Sequence, residues 1–278
     1  QTKRNIPNVN MMHYTGPTAE LVTPGEFNSL VTAVKNWITA KGLSDKIDYI
    51  VQTKGTPLNF GGSTSASSRF VVMDTSITTK TNNPYASRDG IWYGNTGNHK
   101  IEETFSHQKS FDGHNLYLVT RLDGYTVDDV KKLIDNSITA TARLGLFFFD
   151  DKLKGKGIGK LLESSADKLK ARGYIVELDQ TAPFIGDKSG IMGYISWGSN
   201  AGASPKQFQS NFFLPGSIGE TYVSTSGKTF ILPENWTNYI DEPGTGKYYQ
   251  TLVADLIRNG ITGVNGHVTE PYLNACID

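Results

Sequence analysis

Leu144-Gly-Leu-Phe-Phe-Phe149 is a strand-length run with no polar side chain, and it leads into a helical stretch. A strand without polar alternation is buried on both faces, which happens where a parallel sheet is covered by helices. The unit recurs along the chain. Ile47–Gln52, Leu116–Thr120, Tyr174–Leu178 and Ile261–His267 read as further strands, each beside an amphipathic helix. This alternation predicts an α/β fold with a mainly parallel sheet and helices on both faces.

The helices carry their own start and stop signals. Thr23-Pro-Gly-Glu26 places Thr at the cap, Pro in the first turn and Glu where a capping box needs it. Phe27, Leu30, Val31, Val34 and Ile38 follow on one face. Burying each contributes about 1.5–3 kcal/mol before entropy is subtracted. Gly42 stops this helix. Thr126 caps a second one, with Val127, Val130, Leu133 and Ile134 predicted inward. Ile158, Leu161, Leu162 and Leu169 mark a third, closed by Gly173 as a left-handed cap. Tyr249, Leu252, Val253, Leu256 and Ile257 mark a fourth, with Gly260 just past its last turn. Two stretches break the rhythm. Gly61–Ser68 reads as a Gly/Ser loop, and Thr75–Gly113 is long, polar and dense in turn signals. They predict a polar insertion at about residues 60–114 within a single domain of residues 1–278.

Composition narrows the function classes. Lys plus Arg and Asp plus Glu number 27 each, so no charge excess steers the chain to nucleic acid or an anionic membrane. No apolar run approaches the roughly 20 residues of a membrane span. Cys276 is the only cysteine, which rules out an internal disulfide and a cysteine-based zinc site. His13, His99, His107 and His114 lie in polar segments without metal-ligand spacing, and no cofactor signature is present. A surface rich in Thr, Ser, Asn and Gly points to an exported, extracellular or cell-surface protein. Asn235-Trp-Thr237 is a glycosylation sequon, and since the sequence starts at Gln1 without a signal peptide, any such segment is expected to have been removed or never to have been present.

Three places could carry chemistry. The first follows the strand ending in Gly266, where His267, Glu270 and Tyr272 crowd around Pro271. A buried strand that delivers an imidazole and a carboxylate to its carboxyl end is how open α/β sheets build sites. On a strand, however, a three-residue spacing points His267 and Glu270 to opposite faces, so they converge only if Pro271 begins a bend. Proton transfer needs that convergence and a third group. The other reading is that His267 is hydrogen-bonded in place and Glu270 satisfies backbone amides. The second place is Leu118-Val-Thr-Arg-Leu-Asp-Gly124, where Arg121 and Asp123 form a structural ion pair or Asp123 points into a site. The third is Gly193–Asn200, with Trp197 and Ser199 at a strand end, either lining a pocket or packing over the sheet. Lys154-Gly-Lys-Gly-Ile-Gly-Lys160 lacks the spacing of a nucleotide phosphate loop. It is similar to the pyrophosphate loop of acetyltransferases, which implies coenzyme A, or else it is a basic turn entering a helix.

Taken in order, several segments resemble a family of exosortase-associated bacterial proteins. They are Arg4–Pro7, Tyr49–Pro57, Leu118–Gly124, Phe149-Asp150, Tyr194–Asn200, Phe213–Ser217 and Gly266–Tyr272. More remotely, the arrangement is similar to gingipain- and caspase-like peptidases, which implies a caspase-like, flavodoxin-type parallel sheet. In those enzymes a His and a Cys act together at neighbouring strand ends. The strands that the resemblance assigns to them read Tyr194-Ile-Ser-Trp197 and Ser217–Ser224, with neither residue. A thiolate cannot be replaced there without a new base. The resemblance also implies a strand before Arg4 and a tail after Tyr272. The chain is therefore expected to be a processed form or a partial chain, leaving a sheet edge that another subunit can pair with. The expectation is a non-catalytic extracellular or cell-surface protein on a caspase-like scaffold, a structural subunit assembling with itself or with cell-surface components. The alternative is a hydrolase using Asp123, His267 and Glu270, with Arg121, Trp197, Ser199 and Tyr272 around its pocket. A coenzyme A-dependent acyltransferase comes third. No metal or other cofactor is expected.

Overall fold

The computed structural model describes residues 2–44, 46–62, 64–71, 117–140, 144–152, 154–155, 157–181, 183–197, 210–222, 225–233 and 251–269. They fall into two compact units, Gln1–Arg121 and Leu122–Ile277. Most of the predicted 60–114 insertion lies outside the described residues.

The first unit is organised by α1 (Pro24–Ala40), whose capping box forms as the sequence requires. Thr23 Oγ1 accepts the Glu26 N–H at 3.2 Å, and the Glu26 carboxylate accepts the Thr23 N–H at 2.8 Å. The buried face of α1 is Phe27, Leu30, Val31 and Ile38. Phe27 stacks on Phe60 at 4.3 Å and meets Phe70 edge-on at 5.4 Å. The strand β1 (Leu21–Val22) runs parallel to β3 (Asn59–Phe60), which turns back onto β4 (Thr64–Ser65) and enters α2 (Ala66–Val71). A second small sheet pairs β2 (Tyr49–Thr53) with β5 (Leu118–Leu122). The expected Gly/Ser loop at 61–68 is thus a hairpin and a helix start. Gly61 and Gly62, both at positive φ, supply the reversal that a residue with a Cβ disfavours.

The second unit holds the parallel sheet. After α3 (Val127–Ile138) come β6 (Leu146–Asp150), α4 (Ile158–Ala171), β7 (Ile175–Asp179), β8 (Ser189–Ser196), β9 (Phe212–Thr221), α5 (Val253–Arg258) and β10 (Gly263–Val264). The spatial order is β7-β6-β8-β9-β10 with every pair parallel. Counted along these five strands the order is 2-1-3-4-5, the flavodoxin-type arrangement. Leu162 and Ala166 of α4 pack against Phe149, with Phe147, Leu169, Val176 and Leu178 around them. Phe148, on the opposite face by the strand's alternation, lies 6.3 Å from Tyr194, which meets Phe213 edge-on at 5.5 Å. Helices α3 and α5 pack on each other and on β9 and β10, respectively.

Local packing corrects three expectations. Leu161 is exposed, because Leu162, Ala166 and Leu169 already form the inward stripe at helical spacing. Val127 is exposed too; the buried residue of that first turn is Asp129, whose carboxylate closes the capping box with Thr126. The last strand is shorter than Ile261–His267. Its ladder runs from Thr262 N–H on Ser217 O to Asn265 N–H on Gly219 O, so His267 lies beyond it.

A polar row at the carboxyl end of the sheet

Parallel register lines up polar residues at the last position of four neighbouring strands. Asp150 of β6 pairs with Asp179 of β7 on one side and with Ser196 of β8 on the other, and Ser196 pairs with Thr221 of β9. Asp150, Ser196 and Thr221 are almost wholly buried, at 3%, 0% and 1% exposure. Between β6 and β8 the strand order reverses, and at such a point open α/β sheets leave a crevice beyond the carboxyl ends of their strands. The row therefore occupies the position from which this architecture presents functional groups.

Asp150 is the centre of the row. Its Oδ2 accepts the Ser196 hydroxyl at 2.7 Å, and its carboxyl also accepts the Ile185 backbone N–H. Burial pushes this carboxyl up to about 6, and the negative charges of Asp179 and Asp151 add to the rise, while the two hydrogen bonds oppose it. Next to it, Asp151 is completely buried. Gln180 Nε2 donates to Asp151 Oδ2 at 3.3 Å and to Glu163 Oε1 at 2.7 Å. The Thr181 hydroxyl lies on the Asp179 carboxylate, 2.8 and 3.0 Å from its two oxygens. One strand further, Glu220 is also raised by burial, against hydrogen bonds from Asn265 and Thr221. Trp197 follows Ser196 and lies tilted 5.5 Å from Tyr222. Among the described residues, no three His, Cys, Asp or Glu side chains converge where a metal ion could sit. Chemically, the row offers one proton-exchanging carboxyl in contact with a hydroxyl.

Of the residues singled out in the sequence, Arg121, Asp123 and His267 have other partners. Arg121 clamps the loop after β2, donating from Nη1 to Gln52 Oε1 and Pro57 O at 3.1 Å each and from Nη2 to Thr56 O at 2.8 Å. Asp123 is buried, and its Oδ1 accepts the N–H of its neighbour Gly124 at 2.9 Å. The His267 backbone is pinned on both sides, its N–H on Ser226 Oγ at 3.2 Å and its C=O accepting the Gly227 N–H at 2.7 Å. Glu270, Tyr272, Ser199 and Asn235 lie outside the described residues. In the acetyltransferase-like loop, the Gly155 N–H donates to Glu163 Oε1 at 3.0 Å, which sets a carboxylate where a pyrophosphate would need an open amide. Among the described candidates, Trp197 adjoins the row. Asp150, Asp151, Asp179 and Ser196 were not anticipated as a site. The signal that marks them is an acidic residue directly after a buried apolar run, seen in Phe149-Asp150-Asp151 and again in Leu178-Asp179.

No family model matches the chain, and neither a curated protein nor a solved structure matches it. What the molecule defines on its own is an α/β protein whose five-stranded parallel sheet ends in a buried carboxyl and hydroxyl row.

Proposed function

We infer that the chain is a non-catalytic protein of the cell exterior on a caspase-like scaffold, assembling with itself or with cell-surface components. One observation carries this reading. Register brings Ser196-Trp197 and Thr221-Tyr222 to the carboxyl ends of β8 and β9, the neighbouring strand ends at which a peptidase of that type holds its His and Cys. A serine hydroxyl there needs a strong base, and the group in contact with it is a carboxyl of pKa about 6, far too weak to ionise an alcohol. A surface of Thr, Ser, Asn and Gly with equal numbers of acidic and basic residues supports export. Incubation with fluorogenic peptides and with thiol- and serine-directed covalent probes is expected to give neither turnover nor labelling. Turnover that disappears in Ser196→Ala would overturn the inference.

A hydrolase is the second reading, and Asp150 favours it. This carboxyl changes protonation near pH 6 while touching a hydroxyl at a strand end, a combination typical of functional sites. In that case the site is the row rather than Asp123, His267 and Glu270, and Asp150→Asn removes the activity that Ser196→Ala removes.

A further inference from the structure

The Asp150 side chain joins three pieces of backbone that are distant in sequence. It stands at the end of β6, holds β8 through the Ser196 hydroxyl, and holds the connection between β7 and β8 through the Ile185 N–H. With 3% exposure it cannot meet bulk water unless these pieces separate. Among the described residues, the groups that face it come from four directions. Asp179 comes from β7, Asp151 from the residue after β6, Ser196 from β8 and the Ile185 amide from the connection, with Thr221 of β9 next in the row. Among the described residues, both charged groups acting on it are negative. The nearby Lys188 ammonium is engaged by Glu177 and lies 5.3 Å from the centre of the Phe148 ring.

We propose that Asp150 is the proton-operated latch of the sheet's carboxyl end, keeping β6, β8 and residues 183–188 closed in acid and letting them part more readily at neutral pH. The reasoning is linkage. Any opening that hydrates Asp150 returns its carboxyl toward the ordinary value of 3.8, whereas the closed form holds its proton up to about 6. The closed form is therefore favoured by protons over this interval, and opening becomes easier as pH rises through it. The largest possible change in the opening equilibrium is roughly 100-fold. The hydrogen bonds from Ser196 and Ile185 favour the ionised carboxyl, and burial with the two negative neighbours outweighs them. The proposal is independent of whether the row has a catalytic role.

Amide hydrogen exchange of the full chain at pH 5 and pH 7.5, corrected for intrinsic rates, tests it. The reporters are three amides: Asp151 N–H on Asp179 O, Tyr222 N–H on Ser196 O, and, as the control, Ile261 N–H on Leu256 O. The opening constants of the Asp151 and Tyr222 amides are expected to rise by up to about 10-fold between the two pH values. Ile261, before the start of β10 and away from the row, is expected to stay constant. Asp150→Asn keeps the acceptor for Ser196 but cannot titrate, and it is expected to flatten the change. Asp179→Asn removes one of the two negative neighbours, so the midpoint of the change is expected to move to lower pH. An equal rise in the parent and in Asp150→Asn, or no rise in the parent, overturns the proposal. If Asp150→Asn does not fold, an unmoved midpoint in Asp179→Asn does the same.

Discussion

At the residue scale, Asp150 has a consequence for the stability of the whole fold. Its folded-state value of about 6 lies above the ordinary 3.8, so the folded chain binds this proton more tightly than the unfolded chain. The contribution is fully present below about 3.8 and lost as pH rises through about 6. A gap of this size corresponds to about 3 kcal/mol. Asp150→Asn is neutral throughout, so it is expected to gain about 1–3 kcal/mol over the parent at pH 7.5 relative to pH 4.5. Urea denaturation of both proteins at the two pH values measures this. A second residue acts through space rather than charge. A Cβ on Gly266 would sit 2.8 Å from Ser226 Oγ and closer still to Val253 Cγ2, so Gly266→Ala should cost about 1–3 kcal/mol in the same experiment. The crowded segment after Gly266 was legible from the sequence, whereas the buried row was not. Asp150 and Ser196 are far apart along the chain, and only the parallel register makes them neighbours. Local pattern drew attention to His267 because imidazole, carboxylate and proline crowd there, yet the ladder stops at Asn265.

At the element scale, caps and terminating glycines made the helices readable. Thr126 Oγ1 accepts the Asp129 N–H at 3.2 Å, and Asp129 Oδ2 accepts the Thr126 N–H at 2.8 Å. The same carboxylate lies 3.6 Å from Arg258 Nη1 of α5, so this cap also joins two helices. Thr126→Ala is expected to cost about 1 kcal/mol, and Asp129→Ala more, because it removes the cap and the link to α5 together. Urea midpoints at neutral pH decide this, and equal midpoints for the two variants would show that the Arg258 contact contributes nothing. Glycines at the predicted ends, Gly42, Gly173 and Gly260, all have positive φ, as left-handed terminators do. The strands β2, β5, β6 and β7 start within two residues of their predicted positions, since apolar runs of this kind leave little freedom. What the pattern could not supply was partnership. β2 and β5 read like the other strands but form a sheet of their own, and the Gly/Ser stretch folds back as a hairpin onto β1's neighbour. Periodicity reports which face of an element is buried, not which strand lies beside it.

At the scale of the whole molecule, charge and architecture bear on assembly in different ways. The sequence has a net charge of zero at pH 7 and a pI near 7.1, so no long-range repulsion keeps copies apart at neutral pH. Such a protein associates weakly near its isoelectric point whether or not it has an interface. Specific assembly, as inferred for this chain, rests instead on complementary surfaces and short-range burial, which a few charges of the same sign oppose only weakly. The two causes separate with pH and salt. Isoelectric association fades as the net charge grows on either side of neutrality and as salt screens the charges that attract. A built interface keeps a fixed stoichiometry across the same range. Light scattering on untagged material at pH 7 and pH 9, each at low salt and at 0.15 M, is therefore expected to return the same discrete multimeric mass in all four conditions. A mass that is high only at pH 7 and low salt, and monomeric elsewhere, would mean that the neutral charge is the whole cause. The row at the carboxyl end of the sheet would then be the better guide to what the protein does.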